Sequence, residues 1–451
     1  MGYPLVVTRS TRLCPTANTG YRECVIVLKT SEKIHSHPEH NMKITNIEII
    51  PIYPRLAPRY QERKVSMYGI DHRAVYRIET DSGVVGYGDE RVRPGWQPPH
   101  SSVEPLIGRN PFDFINNTLT AGSALNCALY DIMGKHLELP AYKLMGHKVR
   151  DAVTVAAWTR PASPEEFRAE ISRAANQGYT IFKMHTCDYH DVIEQTRCAE
   201  EVAPEGFRIH YDFNGNRSLA AVLPIVRELE QNHPIVGYIE DPLVKTDIDG
   251  WRRLRKQTSI PIIMHGTPLG GVQEIIHGLA DIYIIAGTMA DIMASGLALG
   301  KANTQALLQF EGGTLGKAMA LHMAAVLPAH TAHSINLDDQ YQEDITKERI
   351  AVVEGCSPVP EEPGLGFKVD EDALARVAKN KPAKVPKHVG ILHMPGGHTY
   401  YGPSYVSPSA LTGREEGTIR GLKSELWEDD GSAEFRRIHN LVQQKGVVEA
   451  L

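Results

Sequence analysis

Three short apolar runs in the middle of the chain end in residues that can bind a metal ion and move protons. The first ends at Lys183 and His185, the second at Asp212 and Asn214, and the third at Glu240. Lys183 and Asp212 are 29 residues apart, and Asp212 and Glu240 are 28 apart. This is about the length of one strand, one helix and two loops. Residues at the ends of successive parallel strands converge on one mouth of a barrel, so this pattern predicts metal-assisted proton chemistry there.

The residue types suit the removal of a proton next to a carboxylate. That step gives a dianionic enediolate, which needs concentrated positive charge against its oxygens. Mg²⁺ prefers a small number of oxygen ligands and keeps open positions for a substrate, and Asp212, Glu240 and Asn214 offer such oxygens. A lysine beside a divalent cation has a lowered pKa, because its charged form is disfavoured.

Alternating strand and helix patterns extend over residues 151–375 and would position these groups. Strict alternation of this kind predicts an α/β fold in which eight parallel strands close into a (β/α)8 barrel of the TIM type. The eight predicted strands are residues 153–158, 180–184, 207–211, 236–239, 261–264, 282–285, 306–310 and 332–337. Helical spacing lies between them, for example at residues 164–176, 191–202, 219–230 and 316–326.

Other patterns flank the barrel. Residues 42–150 contain a hairpin with Asp81-Ser-Gly83 at its turn and a helical pattern after residue 123, which predicts an α+β domain. Residues 1–41 lack periodicity and are interpreted as a disordered extension. Residues 376–451 are rich in Gly, Pro and Lys, which predicts an extended arm with one short helix near residues 434–444.

Composition excludes several classes of protein. The chain has 451 residues, a net charge of −6 and an isoelectric point near 6.4, which argues against a nucleic-acid partner. No apolar run approaches the roughly 18 residues of a membrane span. Six cysteines without CxxC spacing indicate reduced thiols in a cytoplasmic protein.

Several motifs in this order resemble the enolase superfamily, in its mandelate racemase and muconate lactonizing enzyme branch. They are the stretches 81–88, 124–135 and 358–366, together with the three strand ends already described. The resemblance covers residues 42–374. It implies an N-terminal α+β capping domain over a modified TIM barrel, a small-molecule carboxylate substrate, bound Mg²⁺ and a homo-oligomeric assembly.

The resemblance also implies roles for individual residues. Lys183 and His185 match the Lys-x-Lys motif of the second strand, although the second position is His here. Both side chains point to the same side of the strand, so either residue could be the base and the other could contact the carboxylate. Lys183 is the favoured base. A Lys or His base used with Mg²⁺ is an established pattern of this superfamily.

The fifth strand departs from the family pattern. Relatives place an acidic metal ligand at its end, whereas this chain has His265. Imidazole suits Mn²⁺, Fe²⁺ or Zn²⁺ better than Mg²⁺. His265 is therefore either a substitute ligand, which leaves Mn²⁺ or another divalent cation open, or a polar histidine at the rim that binds no metal.

The later strands depart further. The sixth carries no Asp or Lys at its end, and the eighth has Asn336 where many relatives have Glu. These changes disfavour a racemase with two bases and favour proton abstraction from one side, with Glu311 or His333 as the acid for a leaving hydroxyl. Residues 311–317 resemble a phosphate loop but lack its first Gly and its final Ser or Thr. They are interpreted as a Gly-rich turn at a helix N-terminus, which could meet an anionic substrate.

These observations favour a metal-dependent lyase or isomerase that removes a proton alpha to a carboxylate. Dehydration of a hydroxy acid or an acid sugar is the leading hypothesis. One alternative is a cycloisomerase of the muconate type, although a second lysine on the sixth strand is missing. The other is a pseudoenzyme or ligand-binding barrel that has lost part of its metal site.

Overall fold

A computed structural model describes residues 42–61, 63–117, 123–267 and 270–450 of the chain. The extension expected at residues 1–41 lies outside the described residues. None of the helices in the described part is long and apolar enough to cross a membrane.

The N-terminal region is an antiparallel sheet covered by a helix. Its three strands pair in the order in which they follow one another along the chain. Gly86 and Gly88 lie where the third strand crosses the long helix, and a Cβ at either position would overlap carbonyl oxygens of that helix. The motif at residues 81–88 therefore uses glycine for close packing. The elements are β1 (Ile44–Ile52), β2 (Arg73–Thr80), β3 (Val85–Arg91), α1 (His100–Val103) and α2 (Ser123–Leu137).

Eight parallel strands form the predicted closed barrel, because the eighth strand also pairs with the first. All eight overlap the predicted segments, so the (β/α)8 prediction is confirmed. The strands are β4 (Ala152–Thr159), β5 (Ile181–His185), β6 (Arg208–Asp212), β7 (Val236–Glu240), β8 (Ile262–His265), β9 (Ile282–Ile284), β10 (Gln305–Phe310) and β11 (Ser334–Asn336).

Helices connect the strands on the outside of the barrel. The first of them begins with a capping box, in which Ser163 and Glu166 each accept a hydrogen bond from the other's backbone N–H, and Pro164 is its first residue. These helices are α3 (Pro164–Asn176), α4 (Val192–Glu200), α5 (Leu219–Asn232), α6 (Ile248–Arg255), α7 (Val272–His277), α8 (Met289–Lys301) and α9 (Thr314–Val326).

The interior of the barrel is largely apolar. Alternate residues of the strands, among them Trp158, Ile181 and Ile263, form a buried cluster there. Side chains alternate along a strand, so residues two positions beyond these point in the same direction. Lys183 and His265 follow Ile181 and Ile263 in this way, which brings polar groups to the end of the barrel where the strands terminate.

The C-terminal region differs from the expected extended arm. After β12 (Cys356–Pro358) and α10 (Glu371–Ala378), residues 388–449 form an antiparallel sheet of four strands, here called the C-terminal unit. Its own buried cluster consists of Val389, Phe435, Ile438 and Val442. Short strands separated by Gly- and Pro-rich turns give little periodicity, which is why the sequence pattern resembles an arm. The elements are β13 (His388–His393), β14 (Thr399–Gly402), α11 (Pro408–Thr412), β15 (Lys423–Glu428), α12 (Ala433–Lys445), which covers the expected helix, and β16 (Val448–Glu449).

A buried histidine of the barrel makes stability depend on pH. His322 of α9 is fully buried and stacks on Tyr142, with ring centroids 5.9 Å apart. Burial lowers the pKa of His322 to about 4, whereas the pKa of a histidine in the unfolded chain is near 6.5. Between these two values the unfolded chain binds a proton that the folded chain does not. Stability from neutral His322 is therefore complete above about pH 6.5 and falls as the pH decreases towards 4.

We expect His322→Phe to flatten this pH dependence. It should remove a slope of about 1.4 kcal/mol per pH unit from the free energy of unfolding between pH 6 and 4.5. Denaturant unfolding at several pH values measures the slope, with exposed His147→Gln as the control. Equal slopes for wild type and His322→Phe would contradict the prediction.

Candidate active site

The ends of strands β5, β6 and β7 meet at one level of the barrel mouth. In the parallel register His185 lies opposite Asp212, and Asp212 lies opposite Glu240. Lys183 lies two residues below His185 on the same strand. The structure therefore brings together four of the residues that the sequence pattern placed at one site.

Lys183 is surrounded by oxygen atoms that accept hydrogen bonds. Its Nζ lies 2.6 Å from Oε2 of Glu240 and 3.2 Å from Oδ2 of Asp212, and it donates a hydrogen bond of 3.2 Å to Gln309. Burial alone would lower the pKa of Lys183, but the two carboxylates outweigh burial, and its pKa is raised. The lysine is an ammonium group in this arrangement. Lys183 would have the lowered pKa expected from the sequence only if a bound cation offset the negative charges of Glu240 and Asp212.

His185 has a different environment. Its Nδ1 lies 3.0 Å from Oδ1 of Asn214 and 3.3 Å from Oδ2 of Asp212. Asn214 directs its oxygen to the ring because its amide nitrogen donates to the carbonyl of Thr186. Both neighbours of Nδ1 are acceptors, so Nδ1 carries the proton of the neutral ring. Nε2 has no hydrogen bond within the described part of the chain, and the side chain is 25% exposed. Nε2 is thus the atom that can exchange a proton with a bound molecule.

Three carboxylates form an acidic cluster beside these residues. Oxygens of Asp212, Glu240 and Asp241 all lie within 4.8 Å of one another, and all three residues are buried. Burial raises the pKa of Asp241 to about 6, to which the charge of Glu240 contributes. A buried set of carboxylate oxygens is the type of site that hard divalent cations such as Mg²⁺ and Mn²⁺ prefer. The donor set therefore fits a divalent cation held by these three residues.

The other two residues that the sequence suggested as ligands lie at the edge of this cluster. His265 places Nδ1 3.0 Å from Oε1 of Glu240, and its backbone N–H donates to Asp241. The side chain of Asn214 contacts His185 and the backbone. The geometry therefore gives the third carboxylate position to Asp241, a residue that the sequence pattern did not indicate.

We expect Asp241→Asn to weaken divalent-cation binding by about tenfold or more, because one charged oxygen ligand is lost. His265→Gln, which leaves the three carboxylates intact, should change the affinity by only a few-fold. Titration calorimetry with MnCl₂ and MgCl₂ measures both. A larger loss in His265→Gln than in Asp241→Asn would instead support the histidine as the third ligand.

Two buried histidines form a chain of contacts that starts at Glu240. Nε2 of His210 lies 2.8 Å from Oε2 of Glu240, and Nδ1 of His210 lies 2.9 Å from Nε2 of His333. Burial lowers the pKa values of both histidines. Glu240 has a pKa well below its ordinary range because Lys183, His210 and His265 outweigh the effect of burial. His333 is fully buried behind His210, so it is poorly placed to donate a proton at the mouth.

Glu311 connects the barrel with the N-terminal sheet. It accepts a hydrogen bond of 2.6 Å from Nε of Arg91 and one of 2.9 Å from Gln309, the residue that also contacts Lys183. Burial would raise its pKa, but Arg91 overcomes this and the pKa of Glu311 is lowered. An ionised carboxylate does not donate a proton. This geometry is therefore unfavourable for the role of acid that the sequence suggested.

Comparisons with known proteins find one matching family model and several similar proteins. Residues 166–373 match the family described as enolase C-terminal domain-like. A D-galactonate dehydratase from Pectobacterium atrosepticum is 26% identical over 367 residues, which cover 71% of this chain and 94% of the relative. An N-succinyl-L-Arg/Lys racemase from Bacillus cereus is 29% identical over 212 residues, which cover 42% of this chain and 57% of that protein.

Solved structures share the fold. A crystal structure of N-succinyl Arg/Lys racemase from Bacillus cereus has a TM-score of 0.63 at 22% identity, covering 75% of this chain and 98% of that one. The structure of an enolase from Pseudomonas fluorescens with bound magnesium, potassium and tartrate has a TM-score of 0.61 at 19% identity, covering 75% and 92% of the two chains.

Proposed function

We propose that this protein dehydrates a hydroxy acid or acid sugar by removing the proton alpha to the carboxylate, because residues 166–373 match the enolase C-terminal domain-like family and a D-galactonate dehydratase is 26% identical over 94% of its length. The observation that carries this proposal is the position of His185. Its free Nε2 and partly exposed ring lie beside the buried carboxylates Asp212, Glu240 and Asp241. A bound divalent cation, Mg²⁺ or Mn²⁺, would supply positive charge against the carboxylate of the substrate.

His185 is the proton-transfer residue of this proposal. Neutral His185 takes the α-proton on Nε2, which leaves an imidazolium. The imidazolium then returns the proton to the β-hydroxyl, which leaves as water with its C–O bonding pair. The net change is loss of one H₂O, and the resulting enol becomes a 2-keto acid. One histidine on one face of the substrate therefore balances the reaction without a separate acid.

Lys183 has a supporting role here, in contrast to the preference from sequence. It is fully buried, and its ammonium group is held between Glu240 and Asp212. Its Nζ already contacts Glu240, Asp212 and Gln309, whereas His185 has a free Nε2 within the described part of the chain and a side chain that is 25% exposed. The positive charge of Lys183 instead holds the two carboxylates in place and stabilises negative charge that develops nearby.

A racemase is the second candidate, because one relative at 29% identity is a racemase. Racemisation by two bases needs a second proton-transfer group on the opposite face of the substrate. The residues after β9, Ile285-Ala-Gly-Thr288, contain no lysine, histidine or acid. Proton transfer from one face therefore agrees better with these residues.

The test is a panel of acid sugars and hydroxy acids in heavy water with MgCl₂ or MnCl₂, followed by NMR. D-Galactonate belongs in the panel because two relatives, at 26% and 24% identity, are D-galactonate dehydratases. We expect a 2-keto-3-deoxy product from at least one sugar, without formation of the epimer. Epimerisation without loss of water would support the racemase. No product from protein that binds the metal normally would count against the dehydratase proposal.

A further inference from the structure

The C-terminal unit contacts the loop that directly follows His185. This loop, residues 186–191, connects β5 with α4 and is here called the β5–α4 loop. The C-terminal unit itself lies beyond residues 166–373, which match the family. The contacts extend along the whole loop: Thr186 with Glu416, Asp188 with Ser407, Tyr189 stacked on Tyr405 at 4.3 Å between centroids, and Asp191 with the backbone N–H of Gly421 at 2.9 Å.

A buried ion pair forms the centre of this contact. Oε1 of Glu416 lies 2.5 Å from Nη2 of Arg217, and the two residues are only 8% and 2% exposed. Arg217 also donates to the backbone carbonyls of Glu416 and Phe213, at 3.0 and 2.7 Å. Phe213 and Arg217 lie in the loop after β6. Glu416 therefore joins the C-terminal unit to a second loop of the barrel mouth.

Glu416 also reaches the β5–α4 loop through a hydroxyl. Oγ1 of Thr186 lies 3.1 Å from Oε1 of Glu416 and 3.1 Å from Nη2 of Arg217. The backbone N–H of Thr186 donates to the carbonyl of Asp212 at 2.9 Å. Oγ1 of Thr186 also lies 3.2 Å from that carbonyl. Thr186, the residue next to His185, is thus held between the end of β6 and the Glu416–Arg217 pair.

The contacts continue from Thr186 to the imidazole of His185. The carbonyl of Thr186 accepts a hydrogen bond of 3.2 Å from the amide nitrogen of Asn214, and this orients the Asn214 oxygen towards Nδ1 of His185 at 3.0 Å. Asn214 has a φ of 58°, a conformation that non-glycine residues seldom adopt without support from their surroundings. The amide nitrogen of Asn214 also donates to the carbonyl of Asp212 at 3.3 Å, so displacement of Thr186 would remove one of the two acceptors that orient the amide beside His185.

We propose that Glu416 is a positioning residue for His185 and that the C-terminal unit completes the active site from outside the barrel. Glu416 acts through Thr186 and Asn214, which hold the His185 ring in one orientation with Nδ1 protonated. If the Glu416–Arg217 pair only held the C-terminal unit against the barrel, its loss would lower stability without changing the tautomer of His185. The kinetic consequence rests on the proposed function, whereas the effect on the His185 ring does not.

The experiment compares Glu416→Gln, Glu416→Asp and wild-type full-length protein labelled with ¹⁵N-histidine. Ring resonances of His185 are assigned by their loss in His185→Gln. We expect wild type to show one His185 tautomer with Nδ1 protonated, and Glu416→Gln to show a mixture or broadened signals. Glu416→Asp, which keeps the charge, should recover part of the wild-type signature. The matched control is Glu434→Gln, which removes an exposed partner of Arg437 in the same unit and should leave the signals unchanged.

Turnover of the substrate found by the panel gives the second readout. In Glu416→Gln kcat should fall about tenfold to 100-fold, the usual effect of losing a group that orients a ligand or catalytic side chain, while KM stays within about twofold. If Glu416→Gln does not fold, Thr186→Val, with Thr186→Ser as its conservative control, breaks the same link and leaves the Glu416–Arg217 pair in place. Thr186→Val should then show the same loss.

The two readouts separate this inference from the proposed function. An unchanged His185 signature in folded Glu416→Gln or Thr186→Val would overturn the positioning role, whatever the substrate. An altered signature in protein for which no substrate is found would support the positioning role and leave only the proposed reaction in question.

Discussion

Replacement of His185 by glutamine should lower kcat by about two to four orders of magnitude, the range of general acid–base catalysis. The reason is that Nε2 of His185 is the ring nitrogen that does not take part in the hydrogen bond with Asn214 or the contact with Asp212, both of which involve Nδ1. Glutamine retains a polar side chain but has no ring nitrogen that can accept a proton. Because the three carboxylates of the acidic cluster remain, Mn²⁺ affinity should stay within a few-fold of wild type.

Solvent deuterium distinguishes His185 from Lys183 as the base. With an identified substrate in heavy water, His185→Gln should stop the exchange of deuterium into the α-position of the unconverted substrate, as NMR detects directly. Exposed His398→Gln is the control for loss of a histidine elsewhere. Retention of exchange in His185→Gln, together with its loss in folded Lys183→Met, would restore Lys183 as the base favoured by the sequence.

The barrel could be predicted from sequence because its strands are buried on both faces. Such strands appear as short continuous apolar runs, and polar residues mark the points where they leave the core. Lys183, Asp212 and Glu240 mark three successive ends, and their spacing fixes the repeating unit. Periodicity therefore predicted both the fold and the place where these three side chains meet.

The third carboxylate of the acidic cluster was not predicted from the sequence because its position depends on an unusual backbone conformation. Alternation along an extended chain predicts that Asp241, next to Glu240, points away from the site. Asp241 instead has a φ of 44°, so alternation ends there and its side chain reaches the acidic cluster. A left-handed conformation at a non-glycine residue has no clear sequence signal. The same limitation applies to Asn214, whose φ is 58°.

The Gly-rich stretch at residues 311–317 shows a second limit of prediction from the sequence. The sequence suggests a helix N-terminus that could receive an anion, and helix α9 does begin at Thr314. The anions in the structure are carboxylates of the chain itself. Asp89 accepts hydrogen bonds from the backbone N–H groups of Gly313 and Gly316 at 2.7 and 2.9 Å, and Asp344 accepts one from Thr314 at 2.9 Å. A local motif cannot reveal that Asp89, one of its two ligands, lies more than 200 residues away along the chain.

Asp89 occupies the centre of this junction between the N-terminal sheet and the barrel. Its carboxylate also pairs with Arg73, and the side chains of both residues are completely buried. Arg73 lies 3.3 Å from Asp344 as well, and its guanidinium packs over the ring of Tyr341. A Cβ at Gly313 would overlap both Arg73 and Asp344. The glycine therefore permits Arg73 and Asp344 to lie close to the start of the helix.

We expect Asp89→Asn to lower the free energy of unfolding by about 3–5 kcal/mol, the usual cost of removing one partner from a buried ion pair. Asparagine fits the same space, so the loss comes from Arg73, whose buried charge keeps only the longer contact with Asp344, and from weaker hydrogen bonds at the start of α9. Urea unfolding followed by circular dichroism measures the change. Asp113→Asn is the matched control, because it removes one partner of an exposed pair with Arg109 in the same region, and such pairs contribute at most about 1 kcal/mol. A loss in Asp89→Asn no larger than that of Asp113→Asn would mean that the junction does not depend on this carboxylate.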